Sequence, residues 1–314
     1  MATGSPTAAT RAAAPLGDYA LLALAVVAVS TSAPLIRAAD APTLAIAFWR
    51  NALSLPVLAL WLVARRDERA GWRGRSARDR RLTRLSGVFL AAHFATWIPS
   101  LSFTTVASSV ALVATQPVWA ALIARQRGEH IHRQTWIGIG LALAGTLVLT
   151  GVDLSISGRA LFGDVLALVG GMLAAAYFTV GGEVRQRVST VSYALACYAT
   201  ASAVLLVVCL VSTQELGGYD EDTWLAIAGM VIGAQLLGHT LVNVVLRSIS
   251  PTAVSVAILF EILGATLIAQ IAFDETPPVA AWPAAVLIGL GVVVVLRSEQ
   301  DADADLVEPG GLLT

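Results

Sequence analysis

The sequence contains no lysine, so all 20 of its basic residues are arginine, and only 2 of its 314 residues are cysteine. Charged residues make up 13% of the chain, where a soluble domain carries roughly a quarter. With 57% hydrophobic content beside that scarcity, an ordinary soluble domain is excluded and lipid is the natural solvent. Cys197 and Cys209 share one apolar run. As helix, that spacing holds them about 18 Å apart, beyond disulfide reach. The chain also lacks GxSxG, HExxH, paired cysteines, clustered carboxylates and a nucleotide-binding glycine loop. These absences argue against an intramembrane enzyme, a metal site and an ATP-driven pump, and no cofactor is expected.

What is present in their place is a series of apolar segments, each long enough to cross a hydrocarbon core of about 30 Å. Ten can be read: Tyr19 to Ile36, Thr43 to Ala64, Leu85 to Phe103, Val106 to Ala124, Thr135 to Val152, Leu161 to Gly182, Val191 to Val211, Trp224 to Leu246, Ala253 to Phe273 and Ala280 to Leu296. The expected class is an all-α integral membrane protein of ten transmembrane helices. Residues 1–17 form an Ala-rich leader, and the first span exceeds the apolar core of a signal peptide, so it is kept as a span. Residues 298–314 form an acidic tail, SEQDADADLVEPGG and beyond, without apolar periodicity and expected to be disordered. With a cytoplasmic amino terminus, 17 arginines fall on the cytoplasmic side, nine of them between the second and third spans, and only Arg37 and Arg159 fall outside. The positive-inside bias therefore predicts both termini in the cytoplasm. The same bias explains the Arg65 to Arg84 segment without nucleic acid, and anionic lipid headgroups are its natural contact.

The chain also resembles itself. Residues 107–124, ASSVALVATQPVWAALIA, align with 252–269, TAVSVAILFEILGATLIA. Outside that block Gly87 and His93 fall against Gly233 and His239, and Trp136 and Gly145 against Trp282 and Gly291. Two units, 18–152 and 153–297, would each hold five spans. An odd number makes the second unit enter from the opposite face, which defines an inverted-topology repeat of the kind secondary transporters use.

Polar residues inside apolar spans mark the candidate site. Glu261 lies about 12 Å into its span, where an unpaired carboxylate is expensive. It is expected to be protonated, paired or facing a wet cavity, and protonation linked to substrate release would couple transport to protons. A structural carboxylate bonded to a neighbouring helix is the alternative, which the small residues Ala257, Gly264 and Ala265 would permit. His93 with Trp97, and His239 with Asn243, are each four residues apart and so share a helix face. Inverted symmetry would bring these faces to opposite walls of one cavity, although histidine also serves as interhelical glue. Gln116 is the repeat partner of Glu261. Arg50 either clamps a substrate carboxylate or snorkels outward to headgroups. Trp119 and Tyr177 are either cavity walls or ordinary packing. Pro34, Pro56, Pro99 and Pro117 interrupt spans as bends or hinges.

The stretch HFATW (His93 to Trp97), then SLSFTTVASSVALVATQPVWAALI, Gly128-Glu129 and the glycine-rich fifth span resemble the EamA-type branch of the drug/metabolite transporter superfamily. GHTLVNVVLRSISPTAVSVAILFEILGATLIAQ followed by Asp274-Glu275 is similar to the second repeat of that family, and together the repeats cover nearly the whole chain. The family often has Glu-Pro in its ninth helix. Here Glu261 precedes Ile262, and Gln116-Pro117 stands at the symmetric position. The resemblance implies two inverted five-helix repeats, an inner-membrane location and export of amino acids or other small metabolites. The expected function is a secondary transporter working by alternating access, with a small-molecule substrate and the lipid bilayer as partners. An uptake carrier or facilitator, and a non-transporting scaffold or sensor, are the alternatives.

Overall fold

A computed structural model describes residues 14–104, 106–150, 157–273 and 279–307. Among them every regular element is helical. In chain order these are α1 (Leu16–Val29), α2 (Ser32–Ala38), α3 (Thr43–Ala52), α4 (Ser54–Ala64), α5 (Arg66–Gly74), α6 (Ala77–Ser100), α7 (Val106–Val113), α8 (Gln116–Gln126), α9 (Arg133–Thr150), α10 (Gly158–Arg185), α11 (Thr190–Val211) and α12 (Glu221–Met230). A π-helix, Val231–His239, follows, and then α13 (Thr240–Val245), α14 (Pro251–Ile258), α15 (Phe260–Phe273) and α16 (Ala281–Val307).

Seven stretches among the described residues are long and apolar enough to cross a membrane: Leu16–Ala38, Thr43–Ala64, Gly158–Arg185, Thr190–Val211, Glu221–Val245, Pro251–Ile268 and Ala281–Gln300. The other three expected spans are helical but do not meet the same measure. The polar sequence ARDRRLTR opens α6, a turn at Ala114 and Thr115 separates α7 from α8, and α9 starts on Arg133 and Gln134. Several helices start on a side-chain cap. The Ser76, Ser157 and Ser250 hydroxyls accept the Asp79, Ala160 and Ala253 backbone N–H at 3.0, 3.1 and 3.1 Å, and the Asp220 carboxylate accepts that of Thr223 at 2.9 Å.

Most breaks follow the prolines. Pro34, Pro56 and Pro117 each lie in the first turn of the helix that resumes after an interruption, where a missing N–H costs nothing. Pro99 sits near the end of α6 without breaking it. The turn at Leu259, between α14 and α15, has no proline and closes through Ile262 N–H on the Leu259 carbonyl at 3.4 Å.

The helices pack as two groups. In one, α10 lies against α6, α7 and α8; in the other, α1 lies against the π-helix, α13, α14 and α15. The close approaches need glycine. A Cβ on Gly170 would press on Trp97 Cβ at 3.0 Å, and one on Gly264 would overlap the Ser30 hydroxyl. The groups touch where α14 meets α8 and where α10 meets α13 and α14. Beside them, α9 and α16 pack on each other, with α9 reaching α7 and α16 reaching α14 and α15. The helical path of α16 runs on to Val307, where a disordered tail was expected from Ser298; Ser298 is buried and exchanges a 3.0 Å hydrogen bond with Thr135. Arg11, Asp274, Glu275 and residues 308–314 lie outside the described residues.

Candidate functional site

Between the two helix groups lies a cavity of about 780 Å³. Its wall includes Arg50, His93, Trp97, Gln116, Tyr177, His239 and Glu261. It reaches Arg37 and Thr43 at one end of the bundle and Leu101, just past the C-terminus of α6. Because α6 starts near the basic Arg65 to Arg84 segment, the cavity opens in the half of the molecule remote from that segment. A smaller depression of about 210 Å³ beside Arg125, Glu129, His130 and Ile131 gathers exposed side chains at a connecting turn.

Discontinuous helices present the symmetric acid and amide. Glu261 is the second residue of α15, just after the Leu259 turn, and Gln116 is the first residue of α8. Repeat-related positions thus occupy the resumed first turns of two broken helices, whose free N–H groups favour acceptors. Gln116 is committed, its side-chain NH2 donating to the Ser255 hydroxyl at 3.0 Å across the two groups. The Glu261 carboxylate accepts no hydrogen bond from any described residue, and it shares the cavity with Arg50 beyond ion-pair distance.

Arg50 is 1% exposed, so it faces the cavity and does not snorkel. Its Nε donates to Gln235 Oε1 at 3.1 Å and its Nη1 to the Ser32 hydroxyl at 3.1 Å, while the guanidinium carbon lies 4.5 Å over the Phe94 ring. Gln235 belongs to the π-helix and is itself held, its NH2 donating to Asn51 Oδ1 at 3.1 Å. Gln235, Ser32 and Phe94 were not singled out in the sequence. A glutamine within the apolar run from Trp224 to Leu246 was the available signal for the first.

The two histidines meet through Phe94. His93 lies 5.1 Å from that ring and His239 5.9 Å, edge-on, with Tyr177 a further 6.3 Å from His239. His93 and Trp97 stack at 5.6 Å with planes 10° apart, as their spacing of four implies. The Gly170 carbonyl can only accept, so His93 Nδ1–H donates to it at 2.9 Å and leaves Nε2 as the other ring nitrogen. His239 Nδ1 and Trp97 Nε1 are buried without a partner among the described residues. Both atoms are closed off from the cavity surface, so each carries the cost of an unpaired buried polar group in this arrangement of the wall.

Two predicted site residues lie elsewhere. The Asn243 side chain is behind the wall, accepting from the Tyr177 hydroxyl at 3.1 Å and donating to that of Tyr198 at 3.2 Å. Asn243 follows His239 by one α-helical turn into α13, but its amide is held between the two tyrosine hydroxyls away from the cavity. Trp119 also lies off the wall, its indole N–H donating to the Thr115 hydroxyl one turn back at 3.1 Å. Both cysteines are buried and free.

The chain is 26% identical over 235 residues to an uncharacterized transporter of Archaeoglobus fulgidus, covering 74% of this chain and 80% of that one. A protein crystal structure superposes with a TM-score of 0.76 over 92% of this chain and 99% of its own, at 18% identity, which shows a shared fold. The model of the EamA-like transporter family matches twice, over residues 17–151 and 161–297. Together these matches take in both halves of the wall just described, and the chain belongs to the EamA-like transporter family, a family of membrane transporters.

Proposed function

We propose that this transporter is a secondary carrier of a small metabolite, an amino acid or a molecule like one, working by alternating access between two inverted five-helix units. Ten spans with both termini cytoplasmic agree with the arginine distribution and with an inner-membrane location. In that orientation the cavity, remote from the basic segment, faces outward. Export would then need the opposite, inward-facing arrangement, which inverted repeats reach by exchanging the roles of their halves.

One observation carries the reading. A buried cation, Arg50, and a half-buried carboxylate, Glu261, line one cavity without touching. Such an arrangement is costly in an empty protein and is relieved by a polar cargo. Glu261 is the proposed coupling group: a proton taken up on one side neutralises it, and its loss on the other restores the charge. Flux of a mixed amino-acid and metabolite pool into proteoliposomes, with and without an imposed pH gradient, tests this. Gradient-driven flux in the wild type that falls at least tenfold in Glu261→Gln is the expected result. Gradient-independent flux, unchanged in the variant, overturns the coupling and leaves a facilitator. No flux of any substrate overturns the transport reading itself.

A further inference from the structure

Resting on that reading of the cavity, we infer that Arg50 anchors a carboxylate of the transported molecule and that Gln235, in the π-helix, is the positioning residue that aims it. The cargo is then a carboxylate-bearing molecule with an apolar body, and carboxylate-free amines and amides are excluded.

Two arginines are deeply buried, Arg50 and Arg185. Arg185 is fully committed: Nε donates to the Asn243 carbonyl at 2.7 Å, Nη1 to the Val188 carbonyl and Nη2 to the Thr190 hydroxyl at 2.6 Å. Arg50 commits Nε and Nη1 to neutral oxygens, and its Nη2 donates to no described residue. Nη2 is also not a sealed orphan of the kind seen at Trp97 Nε1 and His239 Nδ1, so it is open to the cavity that Arg50 lines. A buried guanidinium touching only neutral partners lacks an anion, and its planar fork matches a carboxylate.

The support around Arg50 fixes direction. Gln235 and Ser32 hold one edge of the guanidinium, and the Phe94 ring backs its face. Asn51 holds Gln235 in turn, and the Ala47 carbonyl holds the Asn51 amide at 2.8 Å. This relay fixes Gln235 with its oxygen toward Arg50, because its nitrogen is spent on Asn51. The wide turn of the π-helix carries Gln235, and such turns recur at functional sites. Rings of Phe94, Trp97 and Tyr177 form the adjoining wall and suit an apolar body. Glu261, across the same cavity, accommodates an ammonium where the cargo has one, so plain acids and amino acids both fit.

The probes are four compounds with one body: 3-phenylpropionate, phenylalanine, 3-phenylpropionamide and phenethylamine, each titrated against purified full-length protein while the thermal midpoint is followed. The acid and the amino acid should raise the midpoint; the amide and the amine should not. Arg50→Gln should weaken acid binding at least tenfold, with Arg50→Lys recovering part of it. Gln235→Glu keeps the shape but gives Arg50 an internal carboxylate, so it should lower the preference for acid over amide at least tenfold while the protein stays monodisperse. A preference unchanged in Gln235→Glu, equal binding of acid and amide by the wild type, or no stabilisation by either acid overturns the inference. Acid binding without flux in vesicles would sink the transport reading and leave the anchor standing. Flux of carboxylate-free compounds indifferent to Arg50→Gln would do the reverse.

Discussion

The two ends of the bundle treat polar side chains in opposite ways. At the cavity end, the Glu261 carboxylate, Arg50 Nη2, His239 Nδ1 and Trp97 Nε1 have no hydrogen-bond partner among the described residues. At the end bearing the basic segment the charged groups are spent on each other. Glu183 draws Arg78 at 2.7 Å, Arg127 at 3.3 Å and Arg187 at 3.7 Å, and Asp79 holds Arg187 at 2.9 Å. Gln186 donates to the Arg247 carbonyl at 2.9 Å, and the Ser189 hydroxyl donates to Glu68. One of these bonds, from Gln186 to the Arg247 carbonyl, crosses between the two helix groups, as does the bond from Arg185 Nε to the Asn243 carbonyl. On the proposed alternating-access reading, the closed end is a latch made of satisfied pairs, and the open end is a site kept unsatisfied. A carrier needs both, and each has to be breakable for the other to form.

The largest expected effect falls on the latch. Arg185 ties the Asn243 and Val188 carbonyls and the Thr190 hydroxyl together with one 5% exposed side chain. Arg185→Gln leaves at least one buried carbonyl unpaired, and hydrogen bonds to charged groups contribute about 1.5–3 kcal/mol each. Loss of about 3 kcal/mol in denaturant unfolding is expected, whereas Trp119→Phe, off the cavity wall, should lose less than about 1 kcal/mol. Equal losses in the two variants would erase the distinction between latch and periphery.

Much of this contrast was legible in the sequence at the level of residue type, and less of it at the level of partners. Glu261, His93, His239 and Arg50 stand out because a charge or imidazole in an apolar run is conspicuous, and the spacing of His93 and Trp97 gave their stacking directly. The breaks before Pro34, Pro56 and Pro117 were signalled by the prolines. The break at Leu259 carries no proline signal in the sequence. Ser32 and Gln235 were missed because single neutral polar residues are common in spans, and their meaning comes from Arg50, 18 and 185 residues away. Asn243 was misplaced because the hydroxyls that hold its amide, those of Tyr177 and Tyr198, come from other helices. The helix beyond Leu296 was missed because the acidic composition of SEQDADAD outweighed the anchoring of Ser298 on Thr135.

Proton binding sharpens the comparison further. Burial alone would raise the Asp79 carboxyl, but the Ser76 hydroxyl and Arg187, both hydrogen-bonded to it, outweigh burial and hold it below the usual carboxylate range. A carboxyl lowered in the folded state stabilises fully above its unfolded pKa, about 3.9, and that contribution is lost as pH falls through the folded value. Wild type and Asp79→Asn should therefore differ by about 1–2 kcal/mol at neutral pH, and the difference should shrink below pH 4. Thermal melts across pH 7 to 3 check this, and a difference independent of pH would mean that Asp79 acts by shape alone.

The smallest effect on stability, and the most telling for mechanism, belongs to Glu183. Its side chain is 24% exposed and its partners are 41–74% exposed, so solvent screens each pair and Glu183→Gln should cost about 1 kcal/mol or less. Its placement matters more than its strength. Arg78, Arg127 and Arg187 come from α6, the end of α8 and the turn after α10, and removing their common acceptor frees Arg78 and Arg127 while Asp79 still holds Arg187. The change loosens that helix group's side of the closed end, where Arg185 and Gln186 bond to the other group. Labelling of a cysteine introduced at Ala265, on the cavity wall, reads the shift: in sealed vesicles of known orientation, Glu183→Gln should slow labelling from the cavity end and speed it from the latch end. Unchanged labelling from both sides, with stability also unchanged, would reduce the Glu183 cluster to surface decoration and leave Arg185 and its carbonyls as the whole of the latch.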